Sequence, residues 1–169
     1  LQQLDLRHAI DVAVDACMPA IDTRTQQLIL RLPEPPVYIC GDALRMAQIL
    51  GNLLDNASKY TPAGGSITLA MHCEAECAIV QVIDTGMGIS AEALDHIFEL
   101  FAQDSHTEAM GVEGFGIGLA VVRELCQAHG GSVMAQSDGP GCGTTLTVTL
   151  PLAPVDGTDV LSVETGAGR

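Results

Sequence analysis

Apolar positions recur at helical spacing from Leu44 to Pro62, where Met46, Ile49, Leu50, Leu53 and Ala57, turned about 100° per residue, gather into one stripe for a core. Asp42 is placed to cap this helix and Thr61-Pro62 to end it. Asn52, Asn56 and Lys59 fall together on a polar edge beside the stripe. Two readings of that edge stay open. It is the solvated flank of an ordinary amphipathic helix, or it is a line of carboxamides and an ammonium able to hold phosphate oxygens and a hard cation.

The same pattern lays out the remaining elements. Asp5 caps a helix predicted over about Leu6 to Cys17, with Leu6, Ile10, Ala13, Val14 and Cys17 inward and Pro19 near its end. Gln27 to Leu32 and Val37 to Cys40 read as strands joined by the rigid turn Pro33 to Pro36. Ser66 to His72 alternates Ile67, Leu69 and Met71 against polar or small residues and, through Glu74 to Cys77, forms a hairpin with Ala78 to Asp84. A short helix capped by Ser90 reaches Leu94 and is followed by the apolar cluster Ile97 to Phe101. Ala102 to Glu113 is polar and aperiodic and reads as a mobile loop. A strongly apolar helix opens in the run Gly114 to Leu119, reaches about His129 and stops at Gly130-Gly131. Ser132 to Ser137 and Thr144 to Leu150 form a second hairpin around the turn DGPGCG.

These elements predict an α+β fold, a two-layer sandwich of one mixed, mostly antiparallel sheet with about three helices on a single face. The domain is placed at residues 1–152. Residues 153–169 carry no pattern and read as a flexible tail or linker.

Composition narrows the partners. Nearly half of the 169 residues are apolar but only 3% are aromatic, so the core is aliphatic, and a chain of this length closes one without disulfides or a structural metal. The net charge of -14 argues against nucleic acid and against direct contact with an anionic membrane, since either polyanion would be repelled. Any phosphate must be held by backbone N–H groups, a few cations or a metal. No apolar run approaches the roughly 20 residues that span a bilayer and no signal peptide is visible at the start, so a cytoplasmic location is expected. Cys17, Cys40, Cys73, Cys77, Cys126 and Cys142 lack zinc-site spacing and read as buried or half-buried free thiols. The five histidines are equally dispersed, and no metal cluster is evident.

Two further stretches carry chemistry. Alternation puts Asp84 on the same side as Val80 and Val82, the side expected to be helix-covered. A carboxylate there must find donors or bear a desolvation cost of several kcal/mol. Either it caps the Thr85 to Gly88 turn, or it accepts from an exocyclic amine such as that of adenine and so selects against guanine. Gly86 and Gly88 allow close approach to a flat ligand or simply form the turn. Gly114, Gly116 and Gly118 open a helix whose free N–H groups offer an anion site, or they form a hinge. Their spacing is not the dinucleotide fingerprint.

In this order and spacing, NLLDNASKYT, DTGMGI, IFELF, GFGIGL and the closing GGSVMAQSDGPGCGTTLTVTLPL resemble the asparagine, glycine and phenylalanine boxes and final hairpin of the sensor histidine kinase ATP-binding catalytic domain. That family shares a Bergerat-type fold with type II topoisomerases, heat-shock chaperones and mismatch-repair ATPases. The resemblance covers about Leu4 to Leu152. It implies ATP and Mg2+ as ligands, with Asn56 on the metal and Asn52 beside it, and Lys59 and Tyr60 on phosphate and ribose. Asp84 would meet the adenine amine, with Gly86 and Gly88 at the base region. Gly114, Gly116 and Gly118 would lie against the phosphates, Ile89, Phe101, Ile117 and Leu119 would be further ATP-binding residues, and Thr145 would join the water network of Asp84. Asn56 and Lys59 are the implied catalytic residues, in the two-component manner: phosphoryl transfer to a histidine on a dimerisation domain, then on to a response regulator receiver domain.

Hydrolytic relatives place a glutamate base where Asn52 stands, and an amide cannot take that proton, so slow hydrolysis is implied. No histidine here has the acidic neighbour and helical hairpin of the family's acceptor, which implies no autophosphorylation by this chain alone. Between Ala102 and Glu113 there is no Lys or Arg but Asp104, Glu108 and Glu113, with His106 the sole substitute for the cation many relatives carry. A degenerate nucleotide-binding regulatory module, or an anti-sigma-type protein serine kinase, are the alternative readings.

Overall fold

Asp5 and Asp42, both in extended backbone, start the two long helices by accepting their first free N–H groups: Asp5 from Arg7 N at 2.9 Å, Asp42 from Arg45 N at 3.1 Å. The computed structural model describes residues 1–99 and 117–154. Phe101, Gly114, Gly116, the loop Ala102 to Glu113 with His106, and the tail from residue 155 lie outside the described residues.

Strand β1 (Gln2–Asp5) leads into helix α1 (Leu6–Thr23). The helix continues past its expected end at Cys17 and through Pro19. Proline in a helix interior costs about 3 kcal/mol. Here that cost is offset because the extra turn buries Ile21 completely and Thr23 Oγ1 donates to Pro19 O at 2.8 Å. Strands β2 (Gln27–Arg31) and β3 (Tyr38–Gly41) follow, then helix α2 (Ala43–Tyr60). Its predicted stripe of Met46, Ile49, Leu50, Leu53 and Ala57 is buried, joined by Leu54. Next come β4 (Ser66–Glu74), β5 (Cys77–Asp84), the short α3 (Ala91–Leu94) capped by Ser90, α4 (Ile117–Ala128), β6 (Ser132–Gln136) and β7 (Thr144–Pro151). Gly130, with φ 74°, ends α4, and Gly131 N bonds back to Cys126 O at 2.8 Å.

The main sheet has the order β2-β4-β5-β7-β6, with β2 parallel to β4 and every other pair antiparallel. Helices α1, α2 and α4 bury its inner positions, among them Leu69, Val82 and Leu146. The fold is therefore the expected α+β sandwich. One element escaped the pattern: β1 pairs with β3 in a separate two-stranded sheet, so the strands either side of the proline turn belong to different sheets. Leu152 bridges to Ile39 and Ala153 N donates to Tyr38 O at 2.9 Å, fastening the chain's exit to that sheet.

The thiols divide differently from expectation. Cys126 is buried and Cys17 and Cys77 are half-buried, but Cys40, Cys73 and Cys142 are exposed, Cys40 because alternation turns it to the outer side of β3, Cys73 near the end of β4 and Cys142 in a turn. Cys73 pairs with Ala78 and Cys77 with Glu74, which puts the two on opposite faces of the hairpin. Among the described residues no group of His, Cys, Asp or Glu could hold a metal ion, and no helix is long and apolar enough to cross a membrane.

Candidate nucleotide site

The polar edge of α2 lies where three segments meet. Asn52 and Asn56 are half-buried, Lys59 is exposed and Tyr60 is half-buried, the gradient that an edge just off the core stripe should show. Asn52 Nδ2 donates to Gly118 O at 3.4 Å, bringing the asparagine helix to the first turn of α4. Asn56 has no side-chain partner among the described residues. Lys59, the chain's sole lysine, pairs with Asp55 of the same helix at 3.1 Å. Burial pushes the Tyr60 hydroxyl above its usual range, with Lys59 pulling it back and Asp55 adding to the rise.

The last turn of α2 is held from a direction the sequence did not reveal. Gln26, 8% exposed, donates through Nε2 to Ser58 O at 2.9 Å and to Thr61 O at 2.7 Å. Ser58 Oγ donates to Gln26 Oε1 at 2.7 Å and accepts from Arg24 Nη1 at 2.8 Å. Two carbonyls at the helix end thus find donors without solvent. A serine inside an apolar helical stripe was the available signal, since a hydroxyl there requires a partner.

Asp84 closes β5 on the covered face, 7% exposed. Its Oδ1 accepts from Gly86 N at 2.8 Å. Burial pushes its carboxyl up to about 6, with the peptide N–H groups of Gly86 and Thr144 pulling it back. It therefore caps its own turn and, near neutral pH, presents a largely ionised oxygen that accepts from an amine and repels a carbonyl.

The two glycines after Asp84 are spent on the protein itself. A Cβ on Gly86 would strike the Tyr60 carbonyl, and one on Gly88, where φ is 72°, would strike that of Gly139. Met87 N donates to Tyr60 O at 3.1 Å, and Gly141 N donates to Met87 O at 2.6 Å. The room expected for a flat ligand is thus filled by backbone. The turn carrying Asp84 is wedged between the end of α2 and the β6–β7 turn. Ile89, half-buried, donates its N–H to Ser137 Oγ at 3.0 Å.

Thr145 is not brought to Asp84. Register pairs Asp84 with Thr144, and Thr145 with Ile83, so Thr145 lies on the outer face and Thr144, 8% exposed, on the inner one. The expectation fails by one residue, and a one-residue shift in a strand reverses the face. Gly118 stands 3.9 Å, by an added Cβ, from the Asn52 side chain, and Leu119 packs partly against the core. Ile117 contributes its backbone to the start of α4.

The matching family model, described as histidine kinase-, DNA gyrase B- and HSP90-like ATPase, spans residues 41–154. The chain is 36% identical over 127 residues to the sensor histidine kinase WalK of Bacillus subtilis, covering 74% of this chain and 21% of WalK. It is 38% identical over 152 residues to the adaptive-response sensory kinase SasA of Thermosynechococcus vestitus, covering 89% of this chain and 39% of SasA. The chain thus spans well under half of either relative. Among solved structures, the mycobacterial sensor histidine kinase MprB superposes with a TM-score of 0.78 at 24% identity, over 91% of this chain and 100% of that one, which supports the fold alone. Full-length ShkA in complex with AMPPNP superposes with a TM-score of 0.77 at 27% identity, over 92% of this chain and 32% of that one. The chain belongs to the histidine kinase-, DNA gyrase B- and HSP90-like ATPase family, in which these curated relatives are sensor histidine kinases and sensory kinases.

Proposed function

We propose that this chain binds Mg-ATP between α2, the Asp84 turn and the start of α4, and donates the γ-phosphoryl group to a histidine on a helical dimerisation domain outside residues 1–152. From that histidine the group would pass to a response regulator receiver domain, in a cytoplasmic setting. The observation that carries the reading is convergence: Met87 N bonds to Tyr60 O at 3.1 Å and Asn52 Nδ2 to Gly118 O at 3.4 Å, so the asparagine helix adjoins both the Asp84 turn and Gly118 at the start of α4.

In this reading Asp84 accepts the adenine amine, Gly86 and Gly88 serve by letting the turn that carries it pack closely on backbone, and Ile89 and Phe101 adjoin the base. Asn52, Lys59 and Tyr60 meet phosphate and ribose, with Gly114, Gly116, Ile117, Gly118 and Leu119 along the phosphates. Thr144, rather than Thr145, would join the carboxylate. The donor set fits Mg2+, because a neutral amide oxygen suits a hard cation and that of Asn56 has no partner among the described residues. When bound, the ion neutralises phosphate charge that this acidic protein could not otherwise accommodate. Asn52 orients phosphate without abstracting a proton from water, which favours transfer over hydrolysis.

Calorimetric titration of ATP with and without Mg2+, on the wild type, Asn56→Ala and Asp84→Asn, tests the site. Unchanged affinity in both variants would show it to be misplaced. Adding the parent protein's helical domain with labelled ATP tests the reaction. Acid-labile, base-stable label on that domain supports histidine transfer. Acid-stable label assigns a serine kinase instead, and tight binding without label a regulatory module.

A further inference from the structure

Ser137, just beyond β6, is not among the residues that the resemblance assigned to ligand contact, yet it joins the two turns beside Asp84. Its Oγ accepts from Ile89 N at 3.0 Å and from Gly139 N at 3.3 Å, and donates to Gly143 O at 2.7 Å. A longer contact to Gly139 O, at 3.4 Å, competes for the same proton and loses to the shorter one. A hydroxyl offers one donor and two acceptor sites, and all three are used here. Around this knot Gly143 N donates to Gly86 O at 3.1 Å, and the absent side chain of Gly143 lets its backbone rest against the Asp84 carbonyl.

We infer that Ser137 is the positioning residue for purine selection: by tying the Asp84 turn to the β6–β7 turn, it holds the carboxylate where it distinguishes a 6-amino from a 6-oxo purine. The inference rests on the reading of Asp84 as the adenine contact. Gly86 N from within the turn and Thr144 N from the start of β7 both bond the Asp84 carboxylate, so its direction follows how the Asp84 turn sits against the end of the β6–β7 turn. Gly86 is held on one side by the Tyr60 carbonyl and on the other by Gly143 N, and Ser137 braces that second hold by donating to the carbonyl of the same Gly143. Removing the hydroxyl leaves two N–H groups and a carbonyl to find water, which frees the turn on that side. The amine hydrogen bond is directional and suffers when the turn shifts. The phosphate contacts proposed on α2 and at the start of α4 do not depend on that turn.

The test compares ATP with ITP, which differs at the purine 6-position, by calorimetry in the presence of Mg2+ on the full chain. The wild type is expected to prefer ATP. In Ser137→Ala the affinity for ATP falls about tenfold while that for ITP changes less than about twofold, so the preference collapses. Ser137→Thr, which keeps the hydroxyl, retains the wild-type ratio. A purely structural serine would weaken both nucleotides by the same factor, and that result, or no change, overturns the inference. If Ser137→Ala does not fold, Ser137→Cys decides by the same ratio, expected to lie between wild type and parity; an unaltered ratio there sinks the idea. A wild type that binds no ATP removes the functional reading itself. A wild type whose preference depends on Asp84 but not on Ser137 removes this inference alone.

Discussion

At the end of β5, Asp84 is 7% exposed and its turn is tied to α2 and to the β6–β7 turn by backbone hydrogen bonds. Along the edge of α2, Asn52 and Asn56 are half-buried, and Lys59 reaches no farther than Asp55 on its own helix. The first region is built before any ligand arrives, and an ionised carboxylate is kept there against its desolvation cost. The second is assembled from half-buried and exposed side chains that make few bonds of their own and lose little by changing partners. A purine edge must be read by direction, which needs a fixed acceptor. A phosphate chain needs positive charge and N–H donors, which tolerate adjustment.

The largest effect should come from the softer region. Asn56→Ala is expected to abolish the Mg2+-dependent part of ATP affinity, a loss of about two orders of magnitude in calorimetry, with little change in melting temperature. Asp84→Asn separates the regions in the opposite sense. It should weaken ATP by about tenfold and yet raise apo stability by about 2 kcal/mol above pH 7, read in denaturant titration. The sign follows from the raised carboxyl: its ordinary value is 3.8 and burial lifts it to about 6, so between those values the folded chain holds more protons than the unfolded one. The stability deficit from Asp84 is fully present above pH 6 and is relieved as pH falls toward 4. A variant no more stable than wild type at pH 7.5 would show that the carboxylate is not strained in the way its burial suggests.

Proton binding also bears on selectivity. Between pH 7.5 and 5.5 the ionised fraction of Asp84 should drop about fourfold, and the preference for ATP over ITP with it. Asp84→Asn should show no such slope. The smallest effect is expected at Lys59→Met: the exposed pair with Asp55 contributes less than about 0.5 kcal/mol, so apo stability should barely move while ATP affinity falls about threefold. Equal losses of stability and affinity would mean that this lysine belongs to the scaffold.

The α2 stripe was legible because its residues share one helix, and the cap at Asp42 because it lies three residues from its acceptor, Arg45 N. The orientation of Asp84 was legible for the same reason, through Val80 and Val82 on one strand. Strand β1 was not, since four residues give too little alternation to distinguish them from a helix lead-in. The continuation of α1 through Pro19 was also hidden, because the compensation lies in the burial of Ile21 by other elements.

By itself the sequence determined most of the segments that coil or extend, the faces of α2 and β5 on which their side chains lie, and the family to which the order of its motifs belongs, because spacing within one element is a local matter. Only the tertiary structure decided that Thr144 rather than Thr145 shares the face of Asp84, that Gly86 and Gly88 yield their space to backbone, and that Gln26 and Ser137 hold the two turns. Ile89 and Ser137 lie 48 residues apart in the chain, and contacts at that separation depend on register and packing that no local pattern encodes.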